Sequence, residues 1–273
     1  MDPKNNQLDF CLLIPCYNNI KGLIASLNSV NYYPDLFMIV IVDDGSEVAV
    51  SIDHLKSEIQ NDYKIIILRS EKNKGITHAL NKGLKWIREN TESRFIARLD
   101  CSDKCDESRF FKQINYMNKH PETGLLGSWC VFENKNTGKK YYYKTPLEHK
   151  KILRKMYFKN VFIHPTVFFR TSLLTEVGYY PYDFQYTEDY AFFWRFIKIS
   201  SPHILNEYLV TCEINRQGVS FKNRRKQLKS RLNVVFKYGT SIVLKIAGML
   251  RIYALLLLPK ELVLPLKNSL NRQ

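Results

Sequence analysis

The stretch that decides the fold is FMIVIVDDGS, residues 37–46. Six apolar residues in a row, followed by turn residues, are typical of a central strand that is buried on both faces of an α/β sheet. The first charged residues of this stretch, Asp43 and Asp44, come where the strand ends. Open α/β sheets bind ligands in the crevice outside the carboxyl ends of their strands. The two carboxylates are therefore predicted to mark a site.

A second acidic cluster follows a second strand-like run. Residues 94–99 read RFIARL, and Asp100 and Asp103 come directly after them. If both runs are neighbouring strands of one parallel sheet, their acidic ends open onto the same crevice.

The regions around these two runs alternate between strand and helix patterns. Short apolar runs at 10–14, 37–42, 65–68 and 95–99 predict strands, and helix patterns follow at 20–30, 75–87 and 109–119. Asn18 or Asn19 can cap the first of these helices. Such β-α repetition predicts a parallel sheet. The alternation then fades, with strands predicted at 124–132, 141–143 and 166–169 and a helix at 190–199.

Composition describes a folded, basic protein. The chain has 273 residues, of which 45% are hydrophobic, enough for the core of one large domain or of one domain with an appendage. The 41 Lys and Arg residues outweigh the 26 Asp and Glu residues by 15 charges. This balance favours anionic partners such as phosphates, nucleic acid or an acidic membrane surface.

Two further features suggest a cytoplasmic protein. The six cysteines lack the paired spacing of a zinc site, which favours reduced thiols. Residues 1–9 are polar and hold no apolar stretch after basic residues, so we expect no cleaved secretory signal.

Six short motifs together resemble those of family 2 glycosyltransferases with the GT-A fold. In chain order they are LIPCYN (13–18), VDDGS (42–46), NKG (73–75), ARLD (97–100), HPT (164–166) and TED (187–189). Each motif alone is weak, but their order and spacing together are specific. The resemblance implies a Rossmann-like mixed sheet flanked by helices, and an inverting transfer of sugar from a nucleoside diphosphate.

The resemblance also implies which residues bind the donor. Pro15, Tyr17 and Asp43 would contact the nucleoside, with Asp44 nearby. Asn73, Lys74, Arg98 and Asp100 would lie on the diphosphate side, where a helix amino terminus favours anions. The alternative is that Asp43 and Asp44 form an ordinary Asx turn with Gly45, and that residues 73–75 only start a helix.

The metal motif departs from the family pattern. Asp-x-Asp would bind Mg²⁺ or Mn²⁺ through hard oxygen ligands. Here Asp100 holds the first position, Ser102 replaces the second Asp, and Asp103 is the next carboxylate. Our hypothesis is that Asp100 and Asp103 bracket the ion, although Asp103 could equally cap the following helix.

Three later positions are expected on the acceptor side. By the resemblance, Asp189 would be the general base, next to Glu188 at a helix start. The alternative is a helix first turn enriched in acids, which is common. His164 would line the site, although a hydrogen-bonded structural histidine is the more common case. Arg216 resembles a late loop that can close over the diphosphate.

The carboxyl-terminal region changes in composition. We predict a GT-A domain over 1–219, with a donor half at 1–132 and an acceptor half at 133–219, followed by a tail at 220–273. Basic residues concentrate between 222 and 237, and residues 242–266 are mostly apolar but interrupted by charges. No uninterrupted apolar stretch approaches the roughly 20 residues of a spanning helix. Amphipathic helices in a membrane interface are therefore predicted, with ordinary core packing as the alternative.

The sequence thus predicts a metal-dependent glycosyltransferase on the inner face of the cell membrane. Its donor would be a nucleoside diphosphate sugar, and its acceptor a saccharide or lipid-linked saccharide of bacterial surface polysaccharide. The alternative is a basic protein that binds nucleic acid or membrane on a catalytically degenerate GT-A scaffold. A nucleotidyltransferase is disfavoured because residues 12–19 lack a glycine- and arginine-rich phosphate loop.

Overall fold

Four parallel strands carry the predicted site. The computed structural model describes residues 7–214 and 223–258. Strand β1 pairs with both β2 and β4, and β2 pairs with β3, all in parallel. The strands are β1 (Phe10–Cys16), β2 (Phe37–Asp43), β3 (Ile65–Arg69) and β4 (Phe95–Arg98). The predicted parallel unit is confirmed.

The remaining strands make the sheet mixed. They are β5 (Lys104–Cys105), β6 (Thr123–Glu133), β7 (Lys140–Tyr143), β8 (Phe168–Arg170) and β9 (Ser201–Glu213). Within the described ranges, nine strands form one sheet in the order β3-β2-β1-β4-β8-β6-β9-β5, with β7 on β6. Strand β8 runs antiparallel to β4 and β6, whereas β9 runs parallel to β6.

Helices cover both faces of the sheet. They are α1 (Ile20–Leu27), α2 (Ile52–Glu58), α3 (Ile76–Asn90), α4 (Arg109–Lys119), α5 (His149–Met156), α6 (Leu174–Val177), α7 (Glu188–Ile199), α8 (Arg224–Tyr238) and α9 (Ile242–Leu257). One core joins α1, α2 and α4 to the sheet, and the other joins α3 and α5–α9. Alternate residues of β1 supply the two cores, because side chains along a strand point to opposite faces.

Several predicted elements are confirmed and others were missed. Helix α4 has the predicted bounds, and the Asn19 side chain caps α1 by accepting from the Gly22 amide at 3.1 Å. The strand predicted at 166–169 begins only at Phe168, because residues His164–Thr166, with Pro165 inside, form a 3₁₀ turn. The sequence prediction missed α2, α5 and the long strand β9.

Helix α8 belongs to the core, although its sequence is strongly basic. Five side chains on its inner side are buried against α7 and its neighbours: Leu228, Leu232, Val234, Val235 and Tyr238. Arg225, Lys226, Lys229 and Lys237 are exposed on this helix, whereas Arg224 and Arg231 are only partly exposed and face neighbouring segments. Core packing, the alternative given above for the tail, is therefore what the structure shows for α8.

Gly45 offers a test of how tightly the β2 turn is packed. Its φ is +73°, and a Cβ there would lie 2.4 Å from the backbone carbon of Lys72. Gly138 has a similar φ of +64° but nothing within 4 Å. We expect Gly138→Ala to lower the free energy of unfolding by about 1–2 kcal/mol, and Gly45→Ala by roughly 2–5 kcal/mol because the close contact adds strain. Urea denaturation measures both, and equal losses would contradict the close approach.

Candidate functional site

The carboxyl ends of β1, β2 and β3 are in register, which places their last residues side by side. Cys16 pairs with Asp43, and Asp43 pairs with Arg69. The Asp43 carboxylate accepts from the Ser46 amide at 2.9 Å, the Val50 amide at 3.2 Å and Arg69 Nη1 at 2.7 Å. Asp43 is therefore fully buried and also fully hydrogen-bonded.

The contacts of Asp43 keep it ionised. Burial alone would raise the pKa of this carboxyl, but the Ser46 and Val50 hydrogen bonds and the Arg69 charge outweigh burial and lower the pKa. The resulting anion fixes the turn after β2 and the Arg69 guanidinium at the strand edge.

Asp44 fastens the start of α3 to the same edge. Its two oxygens accept from the Lys74 amide at 3.1 Å and the Gly75 amide at 2.7 Å. Asn73 Oδ1 also accepts from the Gly75 amide, at 2.9 Å. Asn73 and Lys74 thus lie just before α3, where the Lys74 and Gly75 amides donate to Asp44. A contact of the α3 amino terminus with a diphosphate stays a prediction.

The β1 end contributes one exposed aromatic side chain. Pro15 is buried within the strand, whereas 48% of Tyr17 is exposed just beyond it. The following Asn18 links this turn to the β2 turn: its amide donates to Ser46 Oγ at 2.9 Å, and its Oδ1 accepts from the Glu47 amide at 2.8 Å.

A buried arginine and an exposed carboxylate mark the end of β4. The Arg98 side chain is fully buried, and its Nη2 pairs with Asp100 Oδ1 at 2.5 Å. Arg98 Nη1 also donates to the carbonyls of Leu13 and Leu99. The Asp100 side chain is 37% exposed, and its Oδ2 has no hydrogen-bond partner in the described part of the chain.

His164 and Tyr180 extend the Arg98 network. Arg98 Nε donates to His164 Nε2 at 3.4 Å, and the Tyr180 hydroxyl lies 2.9 Å from the same nitrogen. Burial and the adjacent Arg98 charge lower the pKa of His164 to about 3, so the ring is neutral at physiological pH. Asn81 fixes Tyr180 by bonding to both its amide and its carbonyl, at 2.8 Å each.

Asp103 differs from Asp100 in its surroundings. It is only 6% exposed, and its Oδ1 accepts from the Glu213 amide of β9 at 2.9 Å. Burial, together with the nearby Asp100 charge, raises the pKa of Asp103 well above its usual range. Asp103 therefore anchors the turn after β4 to β9.

The residues around Asp100 fit a divalent cation in one specific way. Among residues 7–214 and 223–258, no three His, Cys, Asp or Glu side chains converge to form a metal site. Mg²⁺, however, is commonly held by one or two carboxylates together with substrate phosphates. The free, exposed Oδ2 of Asp100 supplies one such ligand. The Asp103 carboxyl is buried, bonds to β9 through Oδ1 and has a raised pKa, which makes it a poorer ligand.

The two acids at the start of α7 form a second acidic pair. Asp189 Oδ2 accepts from Asn160 Nδ2 at 2.9 Å. Burial raises the pKa of Asp189 to about 6, against the lowering effects of the Tyr190 amide and the Arg231 charge. Burial and the Asp189 charge raise the pKa of Glu188 to about 7. The Asp100 charge contributes to both shifts, so this carboxylate lies close enough to Glu188 and Asp189 to interact with them electrostatically.

Helix α8 supports the acidic pair. Thr187 Oγ1 lies 2.6 Å from Ser230 Oγ, and Gln227 Nε2 donates to the Tyr186 carbonyl at 3.4 Å. The Arg231 charge lowers the pKa of Asp189. The carboxyl-terminal segment is thus part of the environment of the predicted base.

Strained backbone occurs at three loops of the candidate site. Among the described residues, the non-glycine positions with positive φ are Asn18 at 47°, Ser102 at 80° and Tyr186 at 68°. Each stands in a loop that carries predicted site residues. Such conformations cost about 1–3 kcal/mol and persist only where the surroundings impose them. Their clustering supports a functional role for this end of the sheet.

The comparisons with known proteins agree with this geometry. The model of glycosyl transferase family 2 matches residues 11–178. The chain belongs to this family. The expectation drawn from the six motifs is therefore confirmed.

Relatives of this family 2 chain include polysaccharide enzymes. It is 32% identical over 247 residues to the amylovoran biosynthesis glycosyltransferase AmsE of Erwinia amylovora, with 89% of each chain covered. It is 29% identical over 157 residues to an Escherichia coli UDP-Gal:α-D-GlcNAc-diphosphoundecaprenol β-1,3-galactosyltransferase, covering 56% of this chain and 54% of that one.

Solved structures confirm the GT-A fold. The 1–349 segment of S. aureus TarS superimposes with a TM-score of 0.65 at 18% identity, covering 90% of this chain and 71% of that segment. The mannosyltransferase PcManGT from Pyrobaculum calidifontis, solved with GDP-Man and Mn²⁺, gives a TM-score of 0.60 at 16% identity, covering 97% and 74%.

Sequence reasoning missed four residues of this site: Arg69, Asn160, Tyr180 and Arg231. Arg69 directly follows the apolar run of β3, so the strand-end rule applied to Asp43 would have found it. The other three come close to the site only through tertiary packing, and no local pattern marks them. Arg216 lies outside the described residues, so its role stays a prediction.

Asp103→Asn separates an anchoring role from metal binding. The folded state holds the Asp103 proton more tightly than the unfolded chain, where the pKa is about 3.9. The stability of the wild type should therefore fall relative to Asp103→Asn as the pH rises above about 4. Thermal unfolding from pH 4 to 8 measures this, with the exposed Asp62→Asn as control.

Turnover tests metal binding by the same residue. If Asp103→Asn lost turnover as fully as Asp100→Ala, both carboxylates would be cation ligands.

Proposed function

We propose that this protein is an inverting glycosyltransferase that moves a sugar from a nucleoside diphosphate to a saccharide hydroxyl in bacterial surface polysaccharide assembly. Family membership supports the reaction class. The biological setting is supported by the relatives, one named for amylovoran biosynthesis and another, the E. coli glycosyltransferase WbnJ, for O-antigen biosynthesis.

The observation that carries this proposal is the Asp189 carboxylate at the start of α7. It is partly buried, fixed by Asn160, and has a pKa raised to about 6. A base with a pKa near the working pH is efficient, because it is ionised and still has appreciable affinity for a proton. Burial and the Asp189 charge also raise the pKa of the neighbouring Glu188, but only Asp189 is held in place by the Asn160 amide.

The proposed reaction is a single displacement. The acceptor hydroxyl oxygen attacks the anomeric carbon of the donor sugar while Asp189 takes the hydroxyl proton. The bond from the anomeric carbon to the diphosphate oxygen breaks, and its electron pair leaves with the nucleoside diphosphate. One displacement from the opposite side inverts the anomeric configuration.

We assign the donor to the crevice between the β1, β2 and β4 ends. Tyr17 is exposed there and can stack on a base, with Pro15 beneath it in the strand. Asp43 and Asp44 shape this edge through their contacts with Arg69 and with residues 73–75. Direct contacts of Asp43, Asn73, Lys74 and Arg98 with the donor stay predictions.

Asp100 is the residue we propose to hold Mg²⁺ or Mn²⁺ together with the donor diphosphate. A bound divalent cation would screen the negative charge that develops on the diphosphate leaving group. Arg98, which pairs with Asp100 at 2.5 Å, keeps this carboxylate at the crevice. Neutral His164 holds Arg98 and Tyr180 in place, and we propose that it positions the acceptor side of the site.

We also propose a lipid-linked acceptor at the inner face of the cell membrane. The related E. coli galactosyltransferase is named for its acceptor, a diphosphoundecaprenol-linked GlcNAc. Within the described ranges, no helix is both long and apolar enough to cross a bilayer. Access to such an acceptor would therefore require another form of membrane contact in that part of the chain.

A donor panel tests the proposed activity. Release of nucleoside diphosphate is measured from UDP-, GDP- and dTDP-sugars with Mn²⁺, Mg²⁺ or EDTA, using GlcNAc-diphosphoundecaprenol as acceptor. We expect one donor class to react, and Asp189→Asn to lower kcat by about 10²- to 10⁴-fold because the base is lost. Asp100→Ala should lose the response to metal.

The control is Asp183→Asn, which changes an exposed carboxylate six residues before Asp189. It should retain full turnover. Full activity of Asp189→Asn would contradict the assigned base. If no donor shifted the melting temperature and none reacted, the degenerate-scaffold alternative would replace the transferase.

The pH dependence tests the Asp189 assignment separately. Because the base must be ionised, kcat/KM should rise as the pH increases through about 6. Arg231→Ala removes a charge that lowers the pKa of Asp189, so the rise should move to higher pH. Lys237→Ala on the same helix removes an exposed charge and serves as the control. Identical pH profiles for the wild type and Arg231→Ala would contradict this coupling.

A further inference from the structure

Helix α9 has two apolar sides, and only one of them is covered. Its inner side packs on the segment after α5: Ile252 is 1% exposed, and a Cβ built at Gly248 would lie 2.2 Å from the Tyr157 carbonyl oxygen. Its outer side carries a stripe of five apolar residues. We call this the α9 stripe: Val243, Ile246, Leu250, Tyr253 and Leu257.

The α9 stripe is continuous and exposed. Its members are spaced three or four residues apart, which puts them on one side of a helix that turns 100° per residue. Their exposure ranges from 52% at Tyr253 to 85% at Leu257. Phe236 of α8 is a further exposed apolar side chain, 66% exposed, and Lys245 of α9 lies over its ring at 5.5 Å. An exposed apolar patch of this extent on a soluble surface marks an interaction site.

Positive charge flanks the stripe on the side of α5. Arg251 Nη1 donates to the Phe158 carbonyl at 2.8 Å, which fixes Arg251 next to the end of α5. Lys155, Arg154 and Lys159 lie close to it, since the charges of Lys159, Arg251 and Arg154 add to the burial that lowers the pKa of Lys155. Within the described ranges, none of these four cations forms an ion pair with a carboxylate.

The other flank holds a cationic cavity. It lies between α8 and α9, has a volume of about 330 Å³ and is lined by Arg225, Lys226, Lys229 and Leu256. Three cations around an apolar floor match a phosphate group attached to a hydrocarbon. The stripe therefore lies between two positive regions.

We propose that the α9 stripe, with its cationic flanks, is a docking surface for an anionic lipid bilayer. The inference rests on the proposed function, because it would bring the site to a lipid-linked acceptor. In this arrangement α9 lies in the plane of the interface, with its apolar side among the acyl chains and its flanking Lys and Arg residues at the headgroups.

Charge distinguishes a bilayer from a second copy of the chain. The sequence contains no Asp or Glu between Glu213 and Glu261. Two copies meeting through α9 would bring like charges together, which is unfavourable. Phosphate headgroups of anionic lipids are complementary to the same surface. A nucleic acid would satisfy the cations but would leave the aliphatic stripe exposed to water.

Vesicle flotation of the full chain tests the proposal. The probes are phosphatidylcholine vesicles with and without one third phosphatidylglycerol. We expect binding to the anionic vesicles that weakens in 0.5 M NaCl. Ile246→Asp and Leu250→Asp should each reduce binding at least about tenfold, because a charge is expensive to place among acyl chains. Lys226→Gln with Lys229→Gln should reduce it by about fivefold per charge removed.

Tyr33→Asp is the matched control. Tyr33 is 58% exposed and contacts Phe111 of α4, on the opposite side of the sheet from α9. It should leave vesicle binding unchanged. Far-UV circular dichroism checks that each variant is folded. Truncation after Arg231 is unsuitable, because it would remove Val234, Val235 and Tyr238 from the core.

Three outcomes would overturn the docking surface: no binding to anionic vesicles, binding unaffected by both Asp substitutions, or a dimer that these substitutions dissociate without any vesicle binding. RNA binding that competes with vesicles and is equally lost in Ile246→Asp would also overturn it.

Donor turnover with a short-chain acceptor in detergent tests the proposed function independently. Turnover without vesicle binding rejects only the surface, and vesicle binding without turnover rejects only the transferase.

Discussion

The buried guanidinium of Arg98 is the interaction on which the site depends. A fully buried charge is tolerated only when its donors are satisfied, and here they reach the carbonyls of Leu13 and Leu99, the Asp100 carboxylate and the His164 ring. These partners lie on β1, after β4 and in the 3₁₀ turn before β8. The Arg98 side chain therefore fixes three segments. Its ion pair with Asp100 holds that carboxylate at the mouth of the crevice.

A second set of contacts connects the carboxyl-terminal helices to the chemistry. Helix α8 holds the start of α7 through the Thr187 to Ser230 contact, and the Arg231 charge acts on Asp189. The same helix packs against α9, with Arg224 donating to the Leu255 carbonyl at 2.6 Å. The surface proposed to meet the bilayer and the proposed base are thus joined by one helix.

The two acidic clusters predicted from the sequence, after β2 and after β4, have different roles in the structure. The carboxylate oxygens of Asp43 and Asp44 accept hydrogen bonds from Arg69 and from backbone amides, so these two residues hold loops in place. Asp103 does the same for β9. Asp100 is the most exposed of the four, with a 37% exposed side chain and an Oδ2 that accepts no hydrogen bond from the described residues. Identical side chains at equivalent strand ends therefore differ in availability, since each meets different neighbours.

The sequence by itself determined the parallel unit, the strand-end acids and the family, because those features depend on local periodicity and on ordered motifs. It also gave the helix that carries Glu188 and Asp189 to within two residues. Only the tertiary structure decided which carboxylates are free, and it alone brought Asn160 to Asp189, 29 residues away, and Asn81 to Tyr180, 99 residues away. It also decided that α8 is core while α9 leaves one side uncovered. The physical reason is that burial and hydrogen-bond partners are set by contacts between distant segments, which no local pattern of residues encodes.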